Sequence, residues 1–384
     1  MTPPPLLSCF AVVAPGLETF AIAEAQALGL NVVAEVGGFA WTGTAESALL
    51  ANVGLRIASR VLVRLASFEA RSFAELERHA RKIEWNRVIT PGEAVRFRVT
   101  CKKSKLYHSD AVAQRLADAV KRAVPSARVE GGSIADDEAD ETPEASALIV
   151  VRLMRDRCTV SADSSGALLH RRGYRLASTK APLRETIAAG MLAASGWDAV
   201  SPLVDPLCGS GTIPIEAALQ ARRVAPGARR TFAMERWPAV PFDLGVSVRA
   251  HLSDEELSDS RAIIVASDRD SGAIDAATAN AHRAGASADI HIAIHALSAA
   301  DFPMAGRGWV VTNPPYGVRV GESDRVRDLW AQLGNVLRER ASGWRVALLS
   351  PDVALERQLR MPLRAAAVLS NGGIPVRLMV GDVP

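Results

Sequence analysis

Residues 202–219 read PLVDPLCGSGTIPIEAAL, and the order of residue types in that stretch decides the architecture. An apolar run ends at Asp205, two glycines follow at Gly209 and Gly211, and a helix-forming run opens near Thr212. Strand, glycine-rich loop and helix make the first half of a parallel βαβ unit, and in open sheets of this kind ligands gather at the carboxyl ends of the strands. The glycines let backbone approach a ligand closely, and the free amides at the helix start favour electronegative groups. A P-loop is excluded, since no Gly-Lys-Ser/Thr follows. The dinucleotide fingerprint is broken by Pro214 in the third glycine's place. The candidate ligand contacts are Asp205, Pro206, Cys208, Gly209, Ser210, Gly211 and Thr212. Taken alone, the loop is also readable as a tight strand–helix turn, the lesser of the two readings.

The flanking sequence repeats the alternation. Strands are expected at 201–206, 262–267, 290–295, 308–312 and 344–350, with helices at 183–195, 212–223, 271–284 and 324–341. That order predicts an α/β fold of the Rossmann-like, doubly wound type with a mostly parallel sheet. Two short apolar runs within 365–381, separated by Asn371-Gly372-Gly373, predict a hairpin that adds an antiparallel edge. The second strand ends in Asp268-Arg269-Asp270. An acid at that tip can hold both hydroxyls of a ribose, which makes Asp268 a cofactor candidate together with Arg269. Asp270 is its backup or a helix N-cap.

Residues 308–317, GWVVTNPPYG, run a buried strand into Asn313-Pro314-Pro315-Tyr316. The prolines fix the turn and remove two amide donors, so the Asn313 side-chain oxygen and the Pro314 carbonyl can face outward as acceptors. Two acceptors converging on an exocyclic NH2 hold both protons and aim the nitrogen lone pair at an electrophile. Tyr316 offers a flat face to a base turned out of its stack. Asn313, Pro314, Pro315 and Tyr316 are therefore the candidate catalytic residues.

Upstream, 6–13 reads as a strand, 17–29 as a helix, 31–36 and 39–44 as a hairpin, 45–53 as a helix and 59–67 as a strand. A second α+β run follows: helix 72–84, strand 94–101, helix 109–124 and two strands within 147–162. The acidic stretch 131–144 has no apolar period and reads as a mobile loop. Lys102, Lys103, Lys105, Tyr107, His108 and Arg115 form one basic cluster with an aromatic among them. His170, Arg171, Arg172, Tyr174, Arg175 and Lys180 form another. Cations neutralise phosphates and aromatic faces stack on unpaired bases, so Lys102, Lys103, Lys105, Tyr107, His108, Arg115, Arg171, Arg172 and Arg175 are candidate nucleic-acid contacts, which the family resemblance given below makes candidate RNA contacts. A third basic run, Arg222, Arg223, Arg229 and Arg230, opens an insertion over 222–258 that is expected, with Trp237, to form a lid over the target.

Composition sets the outer limits. With 384 residues, 48% apolar and 5% aromatic, the chain can build two or three domains, and it suits α/β better than all-β. A net charge of +3 permits a nucleic-acid partner without requiring one. Cys9, Cys101, Cys158 and Cys208 are scattered, with no CxxC pair. No metal site is therefore expected, and reduced thiols in the cytoplasm are. Without a positive N-terminal region or a long apolar run, neither a signal peptide nor a membrane span is expected.

The segments VDPLCGSGTIPIEAA, SDRD and TNPPYG together resemble class I methyltransferases that modify exocyclic amines of nucleic acids, using S-adenosyl-L-methionine. RCTVSADSSGALLHRRGYR (157–175) and KAPLRETIAAGM (180–191) resemble the lead-in of THUMP-containing RNA methyltransferases. That group comprises the bacterial 23S rRNA guanine-N2 enzymes and the tRNA guanine-N2 enzymes. AVRFRVTCKKSKLYHSDAVAQRL (94–116) resembles their THUMP core. The resemblance implies a ferredoxin-like α+β unit at 1–57, a THUMP domain at 58–166, a linker at 167–181 and a methyltransferase domain at 182–384. It implies N2 methylation of a guanine in RNA, with rRNA favoured and tRNA retained. Adenine-N6 methylation and a non-catalytic RNA-binding factor are the remaining alternatives. The family places an acid after the third strand, near the cofactor adenine. Here that stretch is IHALSAADFP, with Asp301 the candidate and His295 and Ser298 in the expected neighbourhood.

Overall fold

The strand that ends at Asp205 becomes an interior strand of a seven-stranded sheet in the computed structural model, which describes residues 4–134, 146–176, 183–304, 306–316 and 323–384. The strands are β1 (Leu7–Val12), β2 (Val33–Glu35), β3 (Gly38–Gly43), β4 (Arg60–Glu69), β5 (Ala94–Lys102), β6 (Arg128–Ser133), β7 (Ser146–Met154) and β8 (Arg157–Asp163). They continue as β9 (Leu203–Asp205), β10 (Ile264–Asp268), β11 (Ile290–Ile294), β12 (Trp309–Thr312), β13 (Arg345–Ser350), β14 (Arg364–Asn371) and β15 (Ile374–Asp382). Two compact units result: one holds Met1–Val12, Ala25–Leu169 and Arg230–His251, the other Val13–Glu24, His170–Arg229 and Leu252–Pro384.

The second unit is built on the order β11-β10-β9-β12-β13-β15-β14. β9 pairs parallel with both β10 and β12, so the chain turns outward in opposite directions on either side of it. That is the switch point at which the loops of open α/β sheets diverge and leave a crevice. The expected C-terminal hairpin is present: β15 runs antiparallel to β13 and β14 closes the edge. β9, β10, β12 and β13 are almost wholly buried, as parallel strands covered on both faces must be. On one face the helix Ser323–Arg340 seats Trp330, Leu333 and Leu337, all at 0% exposure, against Val204, Val310, Val346 and Leu348. Their spacing is that of one helical stripe, and each such side chain contributes about 2 kcal/mol on burial.

The first unit carries one eight-stranded sheet, β2-β3-β1-β4-β8-β7-β5-β6, which runs through both of the α+β segments read upstream. β6 occupies part of the stretch expected to be a loop; it pairs parallel with β5 from Arg128 to Ser133, and residues 135–145 lie outside the described residues. The middle of the insertion, Arg230–His251, also joins this unit. Met234 N donates to Ser164 O at 3.0 Å, Arg230 donates to the carbonyls of Ala167 and Leu168, and Thr90 Oγ1 donates to Arg236 O. Trp237 is 5% exposed. The lid expected there is corrected: Trp237 is an interior side chain, and Arg222, Arg229 and Arg230 cap backbone carbonyls of their own units.

Candidate active site

All three motifs lie at the carboxyl ends of parallel strands. After β9 the loop turns twice through left-handed backbone, at Gly209 (φ +53°) and Gly211 (φ +83°), before the helix Thr212–Ala221 begins. A side chain at Gly211 would press on Ala277, with its Cβ 3.0 Å from that methyl, so only glycine lets this helix pack on the next. Gly209 differs: among the described residues, its two chain neighbours aside, nothing lies within 4 Å of where a Cβ would stand, and that space is open to a ligand. Pro214 falls within the first helical turn, where its missing amide costs no hydrogen bond. Pro206, Cys208, Ser210 and Thr212 are buried within the loop, and the Ser210 carbonyl is held by Asn280 Nδ2 at 3.0 Å.

Asp205 is buried beneath the loop. Its Oδ1 accepts from Thr312 Oγ1 at 2.7 Å and from the Leu207 amide at 3.2 Å. Burial pushes its carboxyl up to about 7 despite those donors. Thr312 is the residue before Asn313, so this bond ties the glycine loop to the strand that carries the Asn-Pro-Pro-Tyr motif. Asp268 stands half-buried at the tip of β10: Oδ2 accepts from the Gly209 amide and Oδ1 from the Asp270 amide, both at 3.1 Å. Each oxygen keeps a second acceptor position, which is what two ribose hydroxyls need. Asp270 caps the helix Ser271–Ala284, with Oδ1 accepting from Gly272 N at 2.8 Å. Arg269 is exposed. His295 is half-buried and its amide donates to Asp268 O, Ser298 is exposed, and Asp301 is exposed on the segment after β11.

The Asn313–Tyr316 turn leaves β12 with Pro314 buried and Pro315 exposed. Among the described residues nothing donates to the Pro314 carbonyl, whereas the Pro315 carbonyl accepts from Trp330 Nε1 at 3.2 Å. The Tyr316 hydroxyl donates to Asn313 Oδ1 and accepts from Asn371 Nδ2 at 3.3 Å. Burial pushes the Tyr316 phenol up to about 12. Gly317 lies outside the described residues. From sequence Asn371 is only part of a hairpin turn, because nothing local ties it to a motif 55 residues away.

The basic clusters part company. Lys102, the last residue of β5, and Lys103 and Lys105 on the loop after it are exposed, and Lys103 takes a left-handed backbone (φ +52°). Tyr107 is 69% exposed, its ring 4.1 Å from that of His108. Arg115 is exposed but ion-paired with Glu77 at 3.1 Å. In the second cluster only Arg171 is exposed, and Lys180 lies outside the described residues. Arg172 is buried 3.6 Å from Glu216, and Arg175 pairs with Glu185 at 3.1 Å while donating to Thr212 Oγ1. Tyr174 donates to Glu216 at 3.0 Å. Burial pushes Glu185 up to about 7 and His170 down to about 3. The RNA contacts expected from Arg172 and Arg175 are corrected accordingly: desolvated carboxylates hold them inside the second unit.

Residues 172–378 match the RMKL-like methyltransferase domain, 8–62 the RlmL ferredoxin-like domain and 70–163 the THUMP domain. A provisionally named RNA methyltransferase of Synechocystis sp., slr0064, is 34% identical over 96% of this chain and 95% of its own length. The ribosomal RNA large subunit methyltransferase K/L of Syntrophotalea carbinolica is 34% identical over 97% of this chain. The chain spans only about half of that relative, 53%. The crystal structure of SMU.472, a provisionally named methyltransferase complexed with SAH, superposes with a TM-score of 0.84 at 27% identity, covering 99% of this chain and 98% of its own.

Proposed function

The chain belongs to the family of THUMP-containing, RMKL-like methyltransferases, and from that premise we propose that it methylates N2 of a guanine in RNA, with 23S rRNA as substrate and S-adenosyl-L-methionine as methyl donor. The observation that carries the reading is the convergence of the glycine loop, Asp268 and the Asn313–Tyr316 turn on one rim of the parallel sheet. The open space at Gly209 and the spare acceptor positions of Asp268 fit a nucleoside cofactor with an extended tail. When bound, S-adenosyl-L-methionine supplies a methyl on a sulfonium, an electrophile that needs no activation by the protein.

The protein's part is positioning. Asn313 Oδ1 and the Pro314 carbonyl accept the two protons of the target amine, which points the nitrogen lone pair along the line of transfer. The same oxygens disperse the positive charge that grows on nitrogen. Tyr316 supports the plane of the base. The methylated amine is acidic enough to lose its proton to water, so no side-chain base is required. Guanine and large-subunit rRNA are the choices that the family resemblance favours. The lysines after β5, with Tyr107, are assigned to RNA backbone and unpaired bases. The four free cysteines suit a reducing cytoplasm, and among the described residues no helix is long and apolar enough to cross a membrane.

Asn313→Ala tests the mechanism. Methyl transfer should fall about 100-fold or more, as for loss of one preorganised polar contact in a dry site. Calorimetric affinity for S-adenosyl-L-methionine should stay within about twofold, since Asn313 is assigned to the amine alone. Activity like the wild type in that variant would sink the mechanism.

A further inference from the structure

The hairpin between β14 and β15 reaches the active-site rim, and it brings a side chain with it. β15 runs antiparallel to β13 with Arg377 opposite Ser350, the last residue of β13. The turn before β15 therefore lies at the carboxyl end of the parallel strands. Gly372 and Gly373, at φ +58° and +83°, make the turn that right-twisted hairpins favour, and Asn371 is the residue that enters it, opposite Ile374. Asn371 is 9% exposed. Its amide donates to the Tyr316 hydroxyl, and that hydroxyl donates to Asn313 Oδ1.

Direction matters in this chain of bonds. A phenol has one proton and can also accept. A donor at position 371 occupies the accepting side of Tyr316 and leaves its proton for Asn313. Asn313 carries an oxygen on one side of its amide and an NH2 on the other; turned round, it would oppose a donor to the donating amine. We propose that Asn371 is a positioning residue for methyl transfer. By donating to Tyr316 it commits the phenol proton to Asn313 Oδ1, fixes the amide with its oxygen available to the target amine, and holds the plane of the ring. The Asn313 oxygen accepts from Tyr316 with one lone pair and from the substrate amine with the other. This rests on the proposed function.

The test compares two substitutions at 371 in the full chain. The probe is total RNA purified from a strain deleted for this gene, with radiolabelled S-adenosyl-L-methionine and single-turnover conditions. Asn371→Asp keeps the shape but can only accept, so it draws the phenol proton away from Asn313; Asn371→Ala merely removes the donor. The aspartate variant should transfer methyl about 50-fold more slowly than wild type and the alanine variant about 10-fold, the scale of one misdirected and one missing polar contact. Cofactor affinity should be unchanged in both. In a Tyr316→Phe background the added effect of Asn371→Asp should shrink to less than about twofold, because the relay runs through the hydroxyl that background lacks. A merely structural role would make alanine, not the isosteric aspartate, the worse substitution and would leave the losses additive; either result overturns the inference. A wild-type enzyme that transfers no methyl to this RNA overturns the function beneath it, and the inference with it. A working wild type matched by Asn371→Asp overturns the inference alone.

Discussion

CKKSKLYH at 101–108 and HRRGYR at 170–175 have nearly the same make-up, cations interleaved with a tyrosine and a histidine, and they end in opposite environments. In the first, the lysines and Tyr107 face solvent. In the second, Arg172, Tyr174 and most of Arg175 are inside, bound to Glu216 and Glu185. What separates them is not composition but the carboxylates that the fold delivers. Glu216 sits in the helix Thr212–Ala221 and Glu185 opens the helix Glu185–Ser195. Both are buried and each would be prohibitively placed without a cation. Among the described residues Lys102, Lys103 and Lys105 have no such partners, so their charge remains available to a polyanion. A basic stretch is a candidate nucleic-acid surface only until an interior acid claims it.

The sharpest way to break this comparison is Arg172→Ala. It removes the cation beside the buried Glu216 carboxylate and should destabilise the second unit by about 3–5 kcal/mol in urea unfolding. Lys102→Ala with Lys105→Ala should do the converse. Stability should move by less than about 0.5 kcal/mol, while RNA affinity drops and the slope of log affinity against log salt falls by about two. If the lysine pair destabilised the protein and the arginine did not, the assignment of inside and outside would be reversed.

Much of this was legible because it is local. Strand order, glycine loop, Asp268 tip and Asn313–Tyr316 turn each follow from a few consecutive residues, and the parallel topology then places their ends together. β6 was missed because its sequence, RVEGGS, has no strand pattern of its own; it is a strand through pairing with β5. The helix Leu244–Ser253 was missed for a similar reason, since Arg249 and Glu235 settle it against its own unit. Arg172, Arg175 and Asn371 were misread or unnoticed because their partners lie outside their own motifs, at Glu216, Glu185 and Tyr316.

A smaller effect sharpens the interior side of the comparison. Asp205 is a buried carboxyl with hydroxyl and amide donors, and among the described residues no cation stands beside it; burial raises it to about 7 from 3.8. As pH rises through that window the unfolded chain ionises first, so the wild type loses stability there, and the loss levels off above pH 7. Asn at 205 does not ionise. The thermal midpoint of Asp205→Asn relative to wild type should therefore be higher at alkaline than at acid pH, by several degrees across the window. A constant difference would mean that Asp205 titrates alike in both states. Smaller still, Tyr107→Ala should weaken single-stranded RNA binding about fivefold without moving the midpoint, as loss of one stacking face does.

The central claim is that this rim of the sheet methylates an exocyclic guanine amine in RNA. Nucleoside mass spectrometry of separated rRNA and tRNA from a deletion strain, beside wild type and an Asn313→Ala complement, tests it most directly. The account predicts that N2-methylguanosine falls in the large-subunit rRNA fraction and that the Asn313→Ala complement does not restore it. Unchanged N2-methylguanosine in both fractions would contradict it.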